Sequence, residues 1–322
     1  MQPSAPPASP QTTARSKVAR ADRWFRGLAT GFGLSILGLM ALLTLALFID
    51  AWPAIRHFGL RFLTSSEWNY VDQFGALPYI WGTIYSSLLG LLLSLPVSLG
   101  VAIFLAEIAS GSLRTPLSFL VEMLAAIPSV VYGLWGIFVL VPIVRTVETW
   151  LNAHFGFIPL FAGAPFGVDM FSAAVVLAIM ITPTIASVSR DVLLAVPASQ
   201  REAALALGAT RWESIKVAFS NAWSGIVGAI ILGLGRALGE TMAVTMVIGN
   251  TATISFSLLS PAYSMAAVLA NEFSEAVNEL HIASLVTIGL LLFAVTFILN
   301  SLSRWLVGRL TARATGEGSV RV

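Results

Sequence analysis

Residues 73–106 read QFGALPYIWGTIYSSLLGLLLSLPVSLGVAIFLA and contain no Asp, Glu, Lys or Arg. A helix needs about 20 consecutive apolar residues to cross the roughly 30 Å hydrocarbon core of a bilayer. The stretch is longer than that requirement. It therefore predicts a membrane-spanning helix rather than the core helix of a soluble domain.

The rest of the chain has the same character. Its 322 residues are 57% hydrophobic and only 11% charged, with a mean hydropathy of +0.86, whereas about 25% charged residues is usual in soluble domains. Five more stretches without Asp, Glu, Lys or Arg can each hold the roughly 20 apolar residues of a span: 27–49, 123–144, 170–189, 217–235 and 280–303,. The sequence thus predicts an all-α, polytopic membrane protein with six transmembrane helices.

The two ends of the chain differ from this membrane domain, which we expect over residues 28–306. Residues 1–27 begin with a segment rich in Pro, Ala, Ser and Thr, a composition with little to bury, so they predict a disordered cytoplasmic tail. Residues 307–322 predict a cytoplasmic C-terminal tail.

Cysteine is absent from the chain, which excludes disulfides, iron–sulfur clusters and thiolate zinc sites. The three histidines are scattered along the sequence. We therefore expect neither a metal site nor a cofactor. Nucleic acid binding is not indicated either, because most basic residues lie where membrane topology alone would place them.

The distribution of basic residues predicts the orientation of the chain. Fourteen Lys and Arg residues fall in one alternating set of tails and loops, and three fall in the other set. Because positive residues favour the cytoplasmic side, we expect both termini and the 190–216 loop in the cytoplasm. Glu272, Glu275 and Glu279 then lie outside, where we interpret them as the solvated face of a short surface helix.

The loop between the fourth and fifth spans contains a second signal, VPASQREAALALGATRWESIKVAFSNAWSGIV over residues 196–227. Ser199 is a candidate N-cap with Glu202 completing a capping box. Gly208 can adopt the left-handed conformation that ends a helix. The segment predicts a short helix on the membrane face whose small residues, Ala203 and Ala204, let another protein approach closely. An ordinary reentrant or interfacial helix is the alternative.

The order Glu202-Ala203-Ala204, three residues and Gly208 resembles the EAA loop of ABC-transporter permeases. The resemblance implies that this loop (about 190–216) docks onto a cytoplasmic ATPase subunit. The chain has only two lysines, Lys17 and Lys216, and neither follows a Gly-rich phosphate-binding loop,. We therefore expect a transport subunit that is not an enzyme, with ATP hydrolysis on separate subunits.

The fifth span places two charges inside the membrane. Arg236 and Glu240 are four residues apart, one turn of a continuous helix, and Arg236 is fourteen residues, or about 21 Å, from Ala222. Charges this deep cost at least about 2.5 kcal/mol each, so they should face the bundle interior or a watery path. An arginine fork suits oxyanions, which predicts an anion path, and a mutual ion pair that positions the helix is the alternative.

Residues near these charges have less specific signals. The hydroxyls of Ser129, Tyr132 and Thr241 could bind an oxyanion, but hydrogen bonds between spans explain them equally well. Small residues permit close packing with a neighbouring helix, and the fifth span contains Gly228, Gly233, Gly235 and Gly239.

Three stretches are similar to permeases of the bacterial high-affinity phosphate ABC transporter. They are FGALPYIWGTIYSSLLGLLLSLPVSLGVAIFLAE at 74–107, LAAIPSVVYGLWGIFVLVP at 124–142 and GLGRALGETMAVTMVIGN at 233–250. The FLTSSEW at 62–68 resembles the C-type rather than the A-type subunit of that family.

This resemblance implies a MetI-like permease fold in the bacterial inner membrane. It also implies a homologous second permease subunit, two ATPase subunits and a periplasmic phosphate-binding protein as partners, and it gives Arg236 and Glu240 a role along the phosphate path. The expected function is passage of inorganic phosphate to the cytoplasm. A permease for another oxyanion, a self-sufficient secondary transporter or channel, and a membrane scaffold are the alternatives, although a secondary transporter should contain its own coupling-ion site.

Overall fold

The computed structural model describes residues 10–69 and 71–314, and nearly all of this part of the chain is helical. The α-helices are Pro10–Phe58 (α1), Arg61–Thr64 (α2), Leu77–Ile103 (α3), Gly111–Ala126 (α4), Ser129–Trp135 (α5), Val141–Phe155 (α6), Met170–Ala195 (α7), Ala198–Ala206 (α8), Arg211–Leu238 (α9), Met242–Val247 (α10), Met265–Glu272 (α11) and Glu279–Ala314 (α12). Two π-helical turns, Phe104–Ile108 and Gly136–Leu140, and a 3₁₀ turn, Pro159–Phe161, complete the helical structure.

Six helical segments among the described residues are long and apolar enough to cross a membrane. This confirms the all-α class and the six expected spans. The segments are Trp24–Phe58, Leu77–Ile108, Ser129–Phe155, Met170–Ala195, Arg211–Leu238 and Glu279–Trp305.

The third span lies later in the sequence than the charge-free stretch 123–144 suggests. Pro128 disfavours helical backbone at the residue before it, and the chain is extended at Ile127 and Pro128 between α4 and α5. The crossing helix therefore begins at Ser129 and continues to Phe155. Pro128 immediately precedes a helix, whereas Pro96 lies within α3.

The tails are more helical than their composition predicts. Backbone helix begins at Pro10, within the segment whose composition predicts a disordered tail. Proline is accepted at the first helical position, and no proline or glycine follows until Gly27. At the other end, α12 continues to Ala314. Residues 1–9 and 315–322, the rest of the two expected tails, lie outside the described residues.

The chain divides into two compact units at Asp50. In the first unit, Met1–Asp50, the described side chains of α1 are almost all exposed. The second unit, Ala51–Val322, contains the packed bundle and every feature discussed below.

Helix α7 is the centre of that bundle, because most of its span is buried by other helices. Its apolar side chains, including Leu177, Ile181 and Ile185, form a core with residues of α5, α6, α9 and α10. The backbone amides of Met170 and Phe171 donate to carbonyls of the loop between α10 and α11. We call this end of the bundle the α11 side and the opposite end, where α7 meets α8, the α8 side.

Candidate functional site

Arg236 lies in the last turn of α9, and its guanidinium reaches two neighbouring helices. Its Nη1 donates to Thr184 Oγ1 at 3.0 Å, and its Nη2 is 3.5 Å from the carbonyl oxygen of Ala125. Both acceptors are neutral. Among residues 10–69 and 71–314, no carboxylate forms an ion pair with Arg236. Because a guanidinium has five N–H groups, most of its donors remain available.

Close packing between α7 and α9 brings Arg236 to Thr184. A Cβ atom at Gly233 would come within 2.5 Å of Ile185 Cγ1, and one at Gly225 would overlap the side chain of Val192. These two glycines, eight residues apart on α9, therefore let α7 approach the α9 backbone. The predicted close packing holds at Gly233 but not at Gly228, where a Cβ atom would meet nothing within 4 Å.

The depth of Arg236 follows from its partner on α7. Thr184 comes fourteen residues after the start of α7 and eleven before its end, which corresponds to about 21 Å and about 16 Å of helix. The guanidinium is therefore near the middle of the bundle and slightly nearer the α8 side, whereas the roughly 21 Å counted from Ala222 lies past the middle of a roughly 30 Å bilayer core. Side chains on a helix tilt toward its N-terminus, and α9 begins on the α8 side.

Glu240 is not where a continuous helix would place it. Helix α9 ends at Leu238, Gly239 caps it, and the next helix begins only at Met242. The Glu240 carboxylate lies 3.4 Å from the backbone nitrogen of Ala243, in the first turn of α10. The described residues contain no ion pair between Arg236 and Glu240. The expected placement on one helical face is therefore wrong, because the helix ends between the two residues.

The three hydroxyls that the sequence ranks lower have different surroundings. The Tyr132 hydroxyl donates to the Leu124 carbonyl at 2.9 Å, although the charge of Arg236 is near enough to act on it. Thr241 Oγ1 lies 3.4 Å from the Gly239 carbonyl. Ser129 is half-buried in the first turn of α5. Tyr132 is thus close to Arg236 but uses its hydrogen in a bond to the backbone.

An open cavity of about 620 Å³ adjoins Arg236 and is lined by residues of α7, α9 and α12. Its polar wall contains Thr184, Arg236, Asn300 and Arg304. The sequence does not single out the last two: Arg304 follows the charge-free stretch 280–303 and counts there as a residue of the basic C-terminal segment. Asn300 is a polar residue within a span, and that signal could have identified it.

On the α8 side, α8 displays the motif Glu202-Ala203-Ala204. Glu202 and Ala203 are exposed and Ala204 is half-buried. The helix ends as predicted at Gly208, which has a left-handed backbone with φ +87°. Leu207, beside this turn, is 90% exposed. Exposed small residues and one exposed apolar side chain at a tight turn are suited to contact with another protein.

The predicted N-terminal capping box of α8, formed by Ser199 and Glu202, is absent. The helix begins at Ala198 after Pro197, without a side-chain cap, so Ser199 is already inside it. Proline presets the backbone for a helix start and makes the Ser199 cap unnecessary. A complete capping box is present one helix later, where Thr210 and Glu213 bond each other's backbone amides at the start of α9.

A buried ion pair attaches α8 to the bundle. Arg201 Nη2 is 2.6 Å from Glu107 Oε1, and Arg201 Nε is 3.1 Å from both Glu107 oxygens. Arg201 also donates to the carbonyls of Leu193 and Val196 at the end of α7. Glu107 lies in the π-helical turn that follows α3. One side chain therefore joins α8 to both α3 and α7, and we call Arg201 and Glu107 the α8 clamp.

The chain matches, over residues 98–312, the sequence model of a family described as binding-protein-dependent transport system inner membrane component. The chain belongs to this family. The matched region includes α7 to α10, most of α12, Arg236 and the α8 clamp. The chain is therefore a multi-pass inner-membrane component of a transport system, in agreement with its six spans.

Curated relatives in this family carry a more specific description. The chain is 43% identical over 304 residues to the phosphate transport system permease protein PstC of Mesorhizobium japonicum, with 92% of this chain and 93% of that protein covered. It is 45% identical over 293 residues to the protein of the same name from Pasteurella multocida, covering 89% and 91%. A probable PstC of Methanocaldococcus jannaschii is 36% identical over 271 residues, covering 80% and 86%.

Two clusters on the α11 side of this transport component were not expected. Glu272 is buried rather than part of a solvated face: it accepts from Trp68 Nε1 at 2.9 Å and lies 3.3 Å from His281 Nε2. The carboxyls of Glu148 and Asp169 are both buried, and they accept from the backbone nitrogens of Gly167 at 3.0 Å and Ser172 at 3.1 Å, respectively. The described residues bring together no group of three His, Asp or Glu side chains that could hold a metal ion.

A cluster of two ion pairs lies near the α8 end of α7. Arg190 Nη2 is 3.0 Å from Glu122 of α4 and 2.7 Å from Asp191. The Arg190 side chain is buried, whereas both carboxylates are largely exposed. The cluster joins α4 to α7 at the surface of the bundle and does not reach the cavity beside Arg236.

Proposed function

We propose that this chain is a permease subunit that passes inorganic phosphate through the membrane as part of an ATP-driven importer. The observation that carries the proposal is the guanidinium of Arg236, which lies near the middle of the bundle beside a cavity and has only neutral partners among the described residues. The names of the PstC relatives support phosphate as the substrate.

The physical argument concerns a positive charge without a balancing carboxylate. An ionised side chain inside a membrane is costly unless it faces water or a counter-charge. Arginine stays protonated, and its planar donors match the oxygens of a tetrahedral oxyanion. A transported anion that enters the cavity would supply the counter-charge only while it passes. This arrangement favours conduction over permanent binding.

The partners follow from the family and from α8. A second homologous permease subunit would complete the pathway, two ATPase subunits would supply energy, and a periplasmic phosphate-binding protein would deliver the anion. The proposed ATPase contact consists of Glu202, Ala203 and Ala204 of α8 and the turn at Gly208. The α8 clamp would carry movement of that contact into α3 and α7.

The orientation of the chain is also part of the proposal. The excess of Lys and Arg in one set of loops supports a cytoplasmic location for both termini and the α8 side,. The α11 side would then face the periplasm and receive phosphate. The direction of transport would then be import, because phosphate is delivered on the periplasmic side of the membrane and ATP is hydrolysed on the cytoplasmic side.

Two alternatives give different results on reconstitution. A permease for another oxyanion would transport phosphate poorly against competing sulfate, arsenate or molybdate. A self-sufficient transporter or channel would move phosphate when this chain alone is placed in vesicles. The exposed α8 surface favours the ATP-driven class, for which the chain alone would be inactive.

The decisive experiment replaces Arg236 in cells that lack other phosphate carriers. We expect Arg236→Gln to abolish phosphate uptake while the complex still co-purifies, and Arg236→Lys to restore little because it lacks the planar fork. Arg145→Gln is the matched control, since Arg145 is an exposed arginine of α6 outside the cavity. Its uptake should equal that of the wild type.

Two results would contradict the proposal. Normal uptake in Arg236→Gln with a normally assembled complex would remove Arg236 from the path. Loss of assembly in both Arg236→Gln and Arg236→Lys would mean that the side chain holds helices together. Co-purification with tagged ATPase subunits separates these results from the expected one.

A further inference from the structure

The cavity beside Arg236 continues along α12, where it meets two more polar side chains. Asn300 and Arg304 both line it, and residues four apart on a helix lie on the same face, one turn from each other. Apart from Thr184, the remaining wall is glycine or aliphatic, and the wall contains no acidic side chain. The cavity therefore has two guanidinium groups and an amide, with no carboxylate to neutralise them.

The position of Asn300 is fixed by α9. A Cβ atom at Gly235 would lie 3.4 Å from Asn300 Oδ1 and 3.5 Å from its Nδ2. The amide thus lies directly over the residue that precedes Arg236. A larger residue at position 235 would compete with the amide for this space, so Gly235 provides the room in which Asn300 reaches the same cavity as Arg236.

Neither side chain is engaged within the part of the chain that the structure describes. None of the side chains that the structure describes forms a hydrogen bond or ion pair with the Asn300 amide or the Arg304 guanidinium. The guanidinium of Arg201, by comparison, donates to four acceptor atoms. An arginine and an amide that face a cavity without partners are able to bind a ligand that accepts hydrogen bonds.

The order of the two arginines across the membrane follows from the helix directions. Consecutive spans run in opposite directions, so α12 runs from the α11 side toward the α8 side. Arg304 is one turn, or about 6 Å, beyond Asn300, which is level with Gly235,. The Cα atom of Arg304 is therefore about 6 Å nearer the α8 side than that of Asn300.

We propose that Asn300 and Arg304 form a second oxyanion site, which takes inorganic phosphate from Arg236 and releases it on the α8 side. This inference rests on the proposed function and adds residues and an order to it. Conduction requires several weak sites rather than one tight site, because a tightly held ion does not leave. Two arginines that line one cavity allow the anion to contact the second before it leaves the first.

The first test measures phosphate uptake by cells that contain the complete complex. We expect Arg304→Gln and Asn300→Leu each to lower uptake by about tenfold or more, the loss typical of one charge-assisted hydrogen bond, while the complex assembles normally. Arg304→Lys keeps the charge and should recover part of the rate. Arg145→Gln is again the control without effect.

The second test uses the absence of cysteine from this chain. The Asn300→Cys variant of the whole complex, in inverted membrane vesicles, is treated with a sulfonate-bearing thiosulfonate reagent, which is itself an oxyanion. The Leu302→Cys variant is the control, because Leu302 is exposed on the same helix but does not line the cavity. We expect faster labelling at position 300 than at position 302, and inorganic phosphate should slow labelling only at position 300.

The outcomes separate this inference from the proposed function. If Arg236→Gln abolishes uptake while Arg304→Gln and Asn300→Leu transport at the wild-type rate, the second site is refuted and the proposed function stands. Labelling at position 300 that phosphate does not change also refutes the site. If deletion of the whole chain leaves phosphate uptake unchanged, the proposed function fails first.

Discussion

Glu107→Gln is the substitution that most directly tests how α8 is joined to the bundle. Glutamine keeps the size of the side chain and one carbonyl acceptor, but it removes the negative charge that Arg201 contacts through Nε and Nη2. Glu107 is 8% exposed and Arg201 is 20% exposed. The substitution therefore leaves a poorly hydrated guanidinium beside a neutral amide.

The magnitude follows from the contacts that are lost and those that remain. Breaking a fully buried ion pair costs about 3–5 kcal/mol, but Arg201 is partly hydrated and keeps its bonds to the carbonyls of Leu193 and Val196. Loss of a charge-assisted hydrogen bond, about 2 kcal/mol, is the better estimate. A change of this size lowers the ratio of attached to detached α8 by about 30-fold.

The assay compares ATP hydrolysis with phosphate uptake in the same vesicles, reconstituted with the complete complex. We expect Glu107→Gln to hydrolyse ATP but to import less phosphate for each ATP, because α8 moves without displacing α3 and α7. Asp191→Asn is the matched control. The Asp191 carboxylate is 63% exposed and shares Arg190 with Glu122. Exposed ion pairs contribute little to stability.

Two results would refute this reasoning. If the Glu107→Gln complex assembles and imports the wild-type amount of phosphate for each ATP, then the clamp does not transmit movement. A loss of coupling in Asp191→Asn of equal size would likewise show that any change of charge on the α8 side has this effect.

Three further substitutions test other parts of the structure. Gly208→Val would strain the left-handed turn after α8 by about 1–2 kcal/mol,. Stimulated ATPase activity and phosphate uptake should both fall while the chain still inserts into the membrane. Normal values for both would contradict the proposed ATPase contact. Gly82→Ala would push a Cβ atom into the Tyr263 carbonyl, which should lower the thermal midpoint of the purified chain in detergent. Burial raises the pKa of the Asp169 carboxyl, so stability that is present at low pH should be lost as pH rises from about 4 through that raised pKa. Asp169→Asn should flatten this dependence, as measured by melting between about pH 4 and about pH 8.

The six spans could be predicted because the bilayer imposes a minimum length that a charge-free stretch reveals directly. Their ends were harder to predict. Residues 123–144 contain no charge, but that criterion does not detect the backbone restriction before Pro128, which ends one helix and begins another. The start of α1 at Pro10 was missed for the opposite reason, because a polar composition alone does not prevent a helix.

A site residue could be predicted from the sequence where its residue type and its position in a span were enough to identify it. A charge in a span is costly wherever its partners are, so Arg236 was found from its position alone. The partners of a charged residue depend on tertiary structure. Glu240 does not share a helical face with Arg236, because α9 ends at Leu238. Asn300 became part of the site only through the packing of α12 on Gly235. The burial of Glu272 likewise depends on Trp68, 204 residues away in sequence.

The length of α12 has a mechanical consequence. The helix runs without a proline from Glu279 to Ala314, so it can behave as a rigid lever with its pivot at His281, whose imidazole is held by Glu272 and stacked on Phe74. Arg304 is twenty-three residues, or about 34 Å, from that pivot. A tilt of about 5° would swing Arg304 sideways by about 3 Å, the length of a hydrogen bond. Small rearrangements at the α11 end would in this way be amplified into the making or breaking of a contact at the far end of the cavity.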